Sequence, residues 1–390
     1  MYGWAQNRII SEEDKVEFRD LKRQYEQLKD GIDGRITEVI SSARFISGPE
    51  VRELETALAE YVGVKHCITC ANGTDALTLA CMAWNVGPQD AVFVPDFTFF
   101  SSGESPALCG AHVVFVDVEA DTFNMDPVKL ETAIETVKKE GKYRPRVVVA
   151  VDLFGQPADY DRIRPICDNY GLLLLEDGAQ GFGGEIRGRK ACSFGDISTT
   201  SFFPAKPLGC YGDGGAIFTD DDEMNTLIRS LAVHGKSPAG KYDNIRLGMN
   251  SRLDTLQAAI LLPKLEAFRT SEVDAVNRVA EWYGEFLSDT DFLLPVIREG
   301  YRSSWAQYTI RLPERLDRNA VQQSMKEAGI PTMVYYMKPM HLQDAFAGTG
   351  SEAAECPVTE KLCASVLSLP MHPYMTKEEV ETVAKELKKL

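Results

Sequence analysis

Two apolar runs decide the fold class: Val147-Val-Val-Ala-Val151 and Leu172-Leu-Leu-Leu175, the second leading into Glu176-Asp177, with a helical span over 158–170 between them. Neither run has a polar face, which is the pattern of strands covered on both sides within a largely parallel sheet. The alternation extends upstream. Strands over 65–70, 91–94 and 112–117 are each followed by a helix, over 73–84, near 102–109 and over 127–140. Regular strand–helix alternation predicts an α/β domain with helices on both faces of its sheet. Before it, apolar residues at helical spacing (Leu21, Tyr25, Leu28, Ile32, Ile36, Val39, Ile40) predict one or two amphipathic helices. Phe45-Ile-Ser-Gly-Pro49 breaks that pattern, and Pro49 opens a further helix through about Tyr61.

Beyond the α/β region, a long helical stretch from Arg252 to Leu287 leads to a smaller α+β lobe. Its expected elements are strand 305–312, helix 318–328, strand 331–336 and helices 358–366 and 376–389. The expected division is an N-terminal polar extension over 1–12, a large α/β domain over 13–251, and a bridging helix with the small domain over 252–390.

Composition narrows the function classes. With 42 Lys+Arg against 58 Asp+Glu, the net charge of -16 argues against a general nucleic-acid or anionic-membrane surface. No run approaches the roughly 20 apolar residues that span a bilayer. Nine cysteines, an odd number in a long chain, suit free thiols in a reducing cytoplasm. Cys67-Ile-Thr-Cys70 has the spacing of a redox or zinc motif, but it lies in a strand, where residues three apart face opposite ways. No second pair completes a zinc site, and the histidines at 66, 112, 234, 341 and 372 show no ligand spacing, so no metal is expected.

In open parallel sheets, ligands collect at the carboxyl ends of the strands. Three such ends carry unusual chemistry. Ala71-Asn-Gly-Thr-Asp-Ala-Leu77 makes a polar turn into a helix, where backbone N–H groups and the Thr74 hydroxyl form either a phosphate site or a simple N-cap through Asn72 or Thr74. Asp177 ends an all-apolar strand, as a partly exposed loop acid or as the partner of a buried positive charge. Lys206 sits in Ser201-Phe-Phe-Pro-Ala-Lys206-Pro-Leu-Gly-Cys-Tyr-Gly-Asp-Gly-Gly215, between two prolines that deny it a helix interior and stiffen its loop. Lysine, carboxylate and phosphate turn together match the needs of pyridoxal 5'-phosphate. The lysine forms a Schiff base, the carboxylate keeps the ring nitrogen protonated, and the ring acts as an electron sink. Phe97, Phe99 or Phe100, in Pro95-Asp-Phe-Thr-Phe-Phe100, offers an aromatic face for the ring, with core packing the alternative for each.

Those segments resemble the nucleotide-sugar aminotransferases of the DegT type, which are fold-type I pyridoxal-phosphate enzymes. Asn72–Leu77, Pro95–Phe99, Leu153-Phe-Gly-Gln-Pro-Ala-Asp159, Glu176-Asp-Gly-Ala-Gln180, the Lys206 run, Gly248-Met-Asn-Ser-Arg252 and Ser368-Leu-Pro-Met-His-Pro373 follow one another in family order over about residues 16–390. The resemblance implies a fold-type I chain. In it, Lys206 holds the cofactor and moves protons, Asp177 pairs with the ring nitrogen, and Gln180 contacts the phenolic-oxygen side. It further implies that Gly73, Thr74 and Ser201 hold the phosphate, that Phe99 stacks on the ring, and that Asn250 crosses a homodimer interface to the neighbour's phosphate. Lysine at 206 argues against the dehydratase branch, which carries histidine there.

The run through Gly215 and Phe218, with Asn250-Ser-Arg-Leu-Asp-Thr-Leu-Gln, looks most like enzymes that aminate a UDP-linked 2-acetamido-3-oxo-glucuronate in surface polysaccharide synthesis. The implied substrates are an amino acid, glutamate, and a nucleotide-linked keto-sugar, with another 3-oxo or 4-oxo deoxysugar nucleotide as the alternative. A catalytically silent cofactor-bound regulator is the reading from another class. Arg252, Tyr335 and Tyr336 are the expected substrate contacts, a guanidinium fork suiting carboxylate or diphosphate. Asp152 and Tyr335 stand where many relatives have histidine, and a flexible 337–350 stretch is expected to close over the nucleotide.

Overall fold

The computed structural model describes residues 16–237, 240 and 242–390; the expected extension over 1–12 lies outside the described residues. The central sheet has seven strands: β1 (His66–Cys70), β2 (Asp90–Pro95), β3 (His112–Val116), β4 (Arg144–Val151), β5 (Leu173–Asp177), β6 (Ile197–Ser201) and β7 (Gly215–Thr219). Their order across the sheet is β1-β7-β6-β5-β4-β2-β3. Only β7 runs antiparallel, to β1 on one side and β6 on the other; the remaining pairs are parallel, as the two-sided apolar runs predicted.

Side-chain alternation shows why those runs carry no polar face. Val147, Val149 and Val151 pack into one apolar cluster with Val92, Val94 and Leu175. Val148 and Ala150 pack into another on the opposite face, with Phe93, Ile134, Ile163 and Leu174. Helices α3 (Gly73–Ala83), α4 (Ser101–Leu108), α5 (Pro127–Glu140), α6 (Tyr160–Tyr170) and α7 (Asp222–Leu231) cover the sheet. The two cysteines of β1 part company as expected: Cys67 enters a third cluster and Cys70 the first. All nine cysteines are free thiols.

Before the sheet, Asp20 caps α1 (Leu21–Ser42), and α2 (Pro49–Val62) starts at the proline that the sequence marked. The helical stretch over 252–287 is two helices, α8 (Thr255–Ala267) and α9 (Val273–Leu287), joined by the π-helical turn Phe268–Glu272. Helix α8 packs on α1 and α2, whereas α9 packs on α12 (Lys377–Leu387).

The last hundred residues form a two-stranded antiparallel sheet, β8 (Tyr308–Arg311) with β9 (Val366–Leu369), over a core that includes Val279, Tyr283, Ile310, Val321, Leu367 and Val380. Helices α10 (Arg318–Glu327) and α11 (Pro357–Ser365) complete it.

Two expectations are corrected here. Residues 331–336 do not form a strand: Met333 alone exchanges hydrogen bonds with Ser368 (3.1 and 2.8 Å), and the chain then turns to carry Tyr335 and Tyr336 inward. Pro331, which has no N–H to donate, precedes that single bridge. The 337–350 stretch is anchored rather than loose, because Met340, His341 and Phe346 are buried and His341 is hydrogen-bonded through its backbone N–H and its ring to Asp96 (2.7 Å each). With Cys356, these residues form a buried Asp–His–Cys group that spacing along the chain could not show.

Candidate active site

Parallel strands β5 and β6 place Asp177 opposite Thr199, so the acid emerges where the sheet ends and loops begin. Burial pushes the Asp177 carboxyl above the usual range, while its hydrogen bonds oppose that shift: Ser102 Oγ donates at 2.7 Å and Ala179 N at 3.2 Å. Lys206 follows β6 in a loop closed by its own N–H to Phe203 O (2.8 Å). Gly209 allows that loop to fold tightly, since a Cβ there would lie 2.4 Å from Pro204 O. The Lys206 amine is pulled down to about 8, chiefly by burial and further by the Arg19 guanidinium, against the attraction of Asp177. Among the described residues no ion pair within 4.0 Å joins lysine and carboxylate. A weakly basic amine and a buried acid that do not neutralise each other suit a group bound between them.

Beside this pair lies an anion cradle. The antiparallel β7 sets Gly215 opposite both Cys70 and Ser201, which draws the start of α3 against the end of β6. A Cβ on Gly215 would lie 2.5 Å from Asn72 O, and one on Gly73 would lie 2.8 Å from Ser201 Cβ. Only glycines permit that approach. Asn72 is the N-cap, its Oδ1 accepting from Asp75 N at 2.8 Å, so the cap and the cradle coexist. Thr74 is left to meet Ser101 Oγ at 2.7 Å. Gly73, Thr74, Ser101 and Ser201 thus surround a helix N-terminus, whose N–H groups and dipole favour an anion. Gly73→Ala crowds Ser201 and is expected to weaken pyridoxal-phosphate binding at least tenfold, read by equilibrium dialysis, while far-UV circular dichroism stays unchanged; wild-type affinity in the variant would remove Gly73 from the cradle.

The aromatic residues close one side. Phe99 is exposed and lies 6.4 Å from Tyr336, whereas Phe97 is buried in the core. Gln180 accepts from Phe154 N (2.8 Å) and donates to the Tyr336 hydroxyl (3.0 Å), so it ties the small lobe to the Asp177 loop. Tyr335 sits against Phe18 at 6.4 Å and against Tyr336 at 5.7 Å. Asn250 and Arg252 lie elsewhere in the chain: both are exposed and joined to each other (2.5 Å), and Arg252 lines an open concavity with Ser47, His234, Ile245 and Leu247.

Asp152 does not enter any open site. Its carboxyl is fully buried, accepting from Ala158 N (2.9 Å) and Tyr160 Oη (2.7 Å), and a Cβ on Gly181 would lie 2.4 Å from its Oδ2. Sequence reading missed Ser101, Ser102 and Arg19. The two serines directly follow the aromatic run 97–100, at the start of α4, and that position was their only signal.

A family model described as the DegT/DnrJ/EryC1/StrS aminotransferase family matches residues 26–388. The chain belongs to that family. It is a transaminase, and its fold is fold type I. It is 46% identical over 372 residues to the UDP-2-acetamido-2-deoxy-3-oxo-D-glucuronate aminotransferase of Pseudomonas aeruginosa, covering 95% of this chain and 99% of that one. A DegT/DnrJ/EryC1/StrS aminotransferase from Brucella abortus superposes with a TM-score of 0.92 at 44% identity, over 96% of this chain and 99% of that chain. The Bacillus subtilis protein ntda, solved with bound cofactor PMP, superposes with a TM-score of 0.86 at 28% identity, over 99% of this chain and 86% of that chain. Within the family, the lysine, the acid and the cradle are the parts of this chain suited to amino-group transfer. Among the described residues, no helix is long and apolar enough to cross a membrane.

Proposed function

We propose that this aminotransferase uses pyridoxal 5'-phosphate to move the amino group of glutamate to the 3-oxo position of a UDP-linked 2-acetamido-glucuronate. The observation that carries the cofactor reading is the depressed amine of Lys206 beside the unpaired, buried Asp177, flanked by a cradle that only glycines at 73 and 215 keep open. The named uronate aminotransferase, 46% identical over nearly the whole chain, supports the sugar. The bound cofactor supplies an electron sink for a carbanion next to nitrogen.

The chain's own residues do the rest. Gly73, Thr74 and Ser201 hold the phosphate at the start of α3, with Ser101 supporting Thr74. Asp177, kept in place by Ser102, holds a positive charge at the ring nitrogen. Phe99 covers the ring, and Gln180 orients its oxygen side while fixing Tyr336. Lys206 would hold the cofactor and would move protons at the reacting carbon of the donor or sugar. An amine near 8 is suited to that, since it is free to accept a proton close to neutral pH.

We further propose a cytoplasmic homodimer in which Asn250 reaches the neighbour's phosphate and Arg252, Tyr335 and Tyr336 contact substrate. Leu247 (91% exposed) and Ile245 (53%) line one concavity with Arg252, an apolar surface that a second copy would cover. The test is to supply L-glutamate with the UDP-linked 3-oxo-uronate, or with 4-oxo deoxysugar nucleotides linked to UDP or dTDP, and measure 2-oxoglutarate. Release with the uronate is expected; release only with a 4-oxo deoxysugar overturns the sugar assignment, and none with any keto-sugar overturns the amination itself.

A further inference from the structure

Arg19 is the strongest charged group near Lys206 that no role above uses. The segment 16–20 threads between the lysine loop and the small lobe. Phe18 O accepts from Met371 N (3.1 Å), and the Phe18 ring meets Tyr335. One turn later, Arg23 donates to Tyr374 O (2.7 Å) and pairs with Glu379. The Arg19 guanidinium is held by one edge only: Nη2 donates to Lys206 O (2.7 Å) and Pro207 O (3.2 Å). Among the described residues it has no ion-pair partner within 4.0 Å. Asp20, its neighbour in sequence, instead caps α1 and pairs with Arg23 (3.3 Å).

The ionisable groups around it do not neutralise it. Glu272 is attractive but already accepts from Gln24 Nε2 (2.9 Å) and Tyr374 Oη (2.6 Å). Lys206, Lys264 and His372 all feel Arg19 as a repelling charge, and Tyr335 is a neutral phenol at neutral pH. Burial lowers Arg19 itself to about 10, which marks a cation short of compensation. A guanidinium fixed along one edge, with its remaining donors unspent, is a receptor for a planar anion.

We infer that Arg19 is the carboxylate receptor of the Lys206 site, binding the substrate's carboxylate next to Tyr335. This rests on the proposed function and deepens it. Glutamate and the uronate each present a carboxylate to one Lys206, in successive half-reactions. Arg252 is exposed and bonded to Asn250, and among the described residues no hydrogen bond or ion pair joins it to the Lys206 loop.

The test compares wild type with Arg19→Gln, which keeps a donor for the two carbonyls and loses the charge, and with Arg19→Lys, which keeps the charge. Glutarate serves as the probe, its affinity measured by calorimetry on the protein with and without pyridoxal phosphate. Arg19→Gln is expected to weaken glutarate by about tenfold to a hundredfold, the usual loss for a charged hydrogen bond, with Arg19→Lys between it and wild type. Single-turnover measurements then separate the sources. A defect confined to the glutamate half-reaction assigns the donor carboxylate. A defect with the uronate but not with the corresponding neutral hexose assigns the sugar carboxylate, and defects in both assign one shared receptor. Unchanged glutarate affinity in Arg19→Gln overturns the proposal, as does an equal loss with uronate and neutral hexose, which would make Arg19 a mere support for the lysine loop. Wild type that binds glutarate through Arg19 yet never converts glutamate refutes the proposed function alone.

Discussion

Lys206→Ala is expected to lose transamination by at least about 10²-fold and toward 10⁴-fold, the range for removing a positioned proton-transfer group. The visible absorbance that pyridoxal phosphate gains on the wild-type protein is lost with it. The variant should nonetheless fold and bind the cofactor's phosphate, because Gly73, Thr74 and Ser201 are untouched. The stability arm has a definite sign. An amine near 8 in the fold and near its ordinary 10.5 when unfolded is protonated more readily in the unfolded chain. The fold therefore bears the cost of the charged amine below about pH 8, and that cost disappears as the pH rises toward 10.5. Lys206→Ala removes this part of the pH dependence, and Lys206→Met, closer in volume, should melt at or above the wild-type temperature near pH 7. Full activity in Lys206→Ala would discard the central assignment, and a collapse of both variants on melting would make the lysine structural.

The second large effect concerns two carboxyls behind the site. Glu176 is fully buried and accepts from Cys192 N (2.5 Å), Phe194 N (2.7 Å), Gly195 N (3.2 Å) and Ser198 Oγ (2.7 Å). Asp152 Oδ2 has no donor of its own, and burial followed by the charge of Glu176 drives the Asp152 carboxyl well above the usual range. Both observations are met if the pair shares one proton, carried by Asp152 and directed at Glu176. Glu176→Gln then sets an amide N–H₂ against backbone donors and is expected to cost about 3–5 kcal/mol, the range for breaking a buried charged network. Asp152→Asn imitates the protonated acid without taking up a proton on folding, so at pH 7 it should be at least as stable as wild type.

The pH dependence follows from the raised Asp152. Its contribution is complete below the unfolded carboxyl's range and is lost as the pH rises through the folded value. Asp152→Asn should keep that contribution at alkaline pH, so its melting temperature should fall less than that of wild type. Denaturant titrations at pH 6 and pH 9 measure both effects. The opposite ranking, a costly Asp152→Asn with a harmless Glu176→Gln, would place the proton on Glu176.

The chain shows in its order of residues what depends on neighbours a few positions away. Val147–Val151 and Leu172–Leu175 read as strands covered on both sides because period-two alternation leaves no polar face, and the sheet confirms it. Asn72–Thr74, Asp177 and Lys206 stood out because a polar turn, an acid after an apolar run and a lysine between prolines are locally expensive or restrictive. Local pattern failed where one long-range contact set the outcome. Residues 331–336 have strand character, but among the described residues their backbone pairs with another segment only through Met333 and Ser368. The 337–350 stretch reads as a loose loop, yet burying His341 against Asp96, 245 positions away, pins it.

The site divides in the same way. Residue type and local context marked the amine, acid and helix start that we propose carry the chemistry, since those demands are local. Only the tertiary structure decided how they are used. The antiparallel β7 brings Gly73 against Ser201, Ser102 supports Asp177 from another helix, and Arg19 reaches the Lys206 carbonyl across 187 positions. It also withdrew Asp152 from the pocket into a buried acid pair. Charges and hydrogen bonds act through space, so a guanidinium with no ion-pair partner within 4.0 Å among the described residues cannot be read from a sequence that places Asp20 next to it.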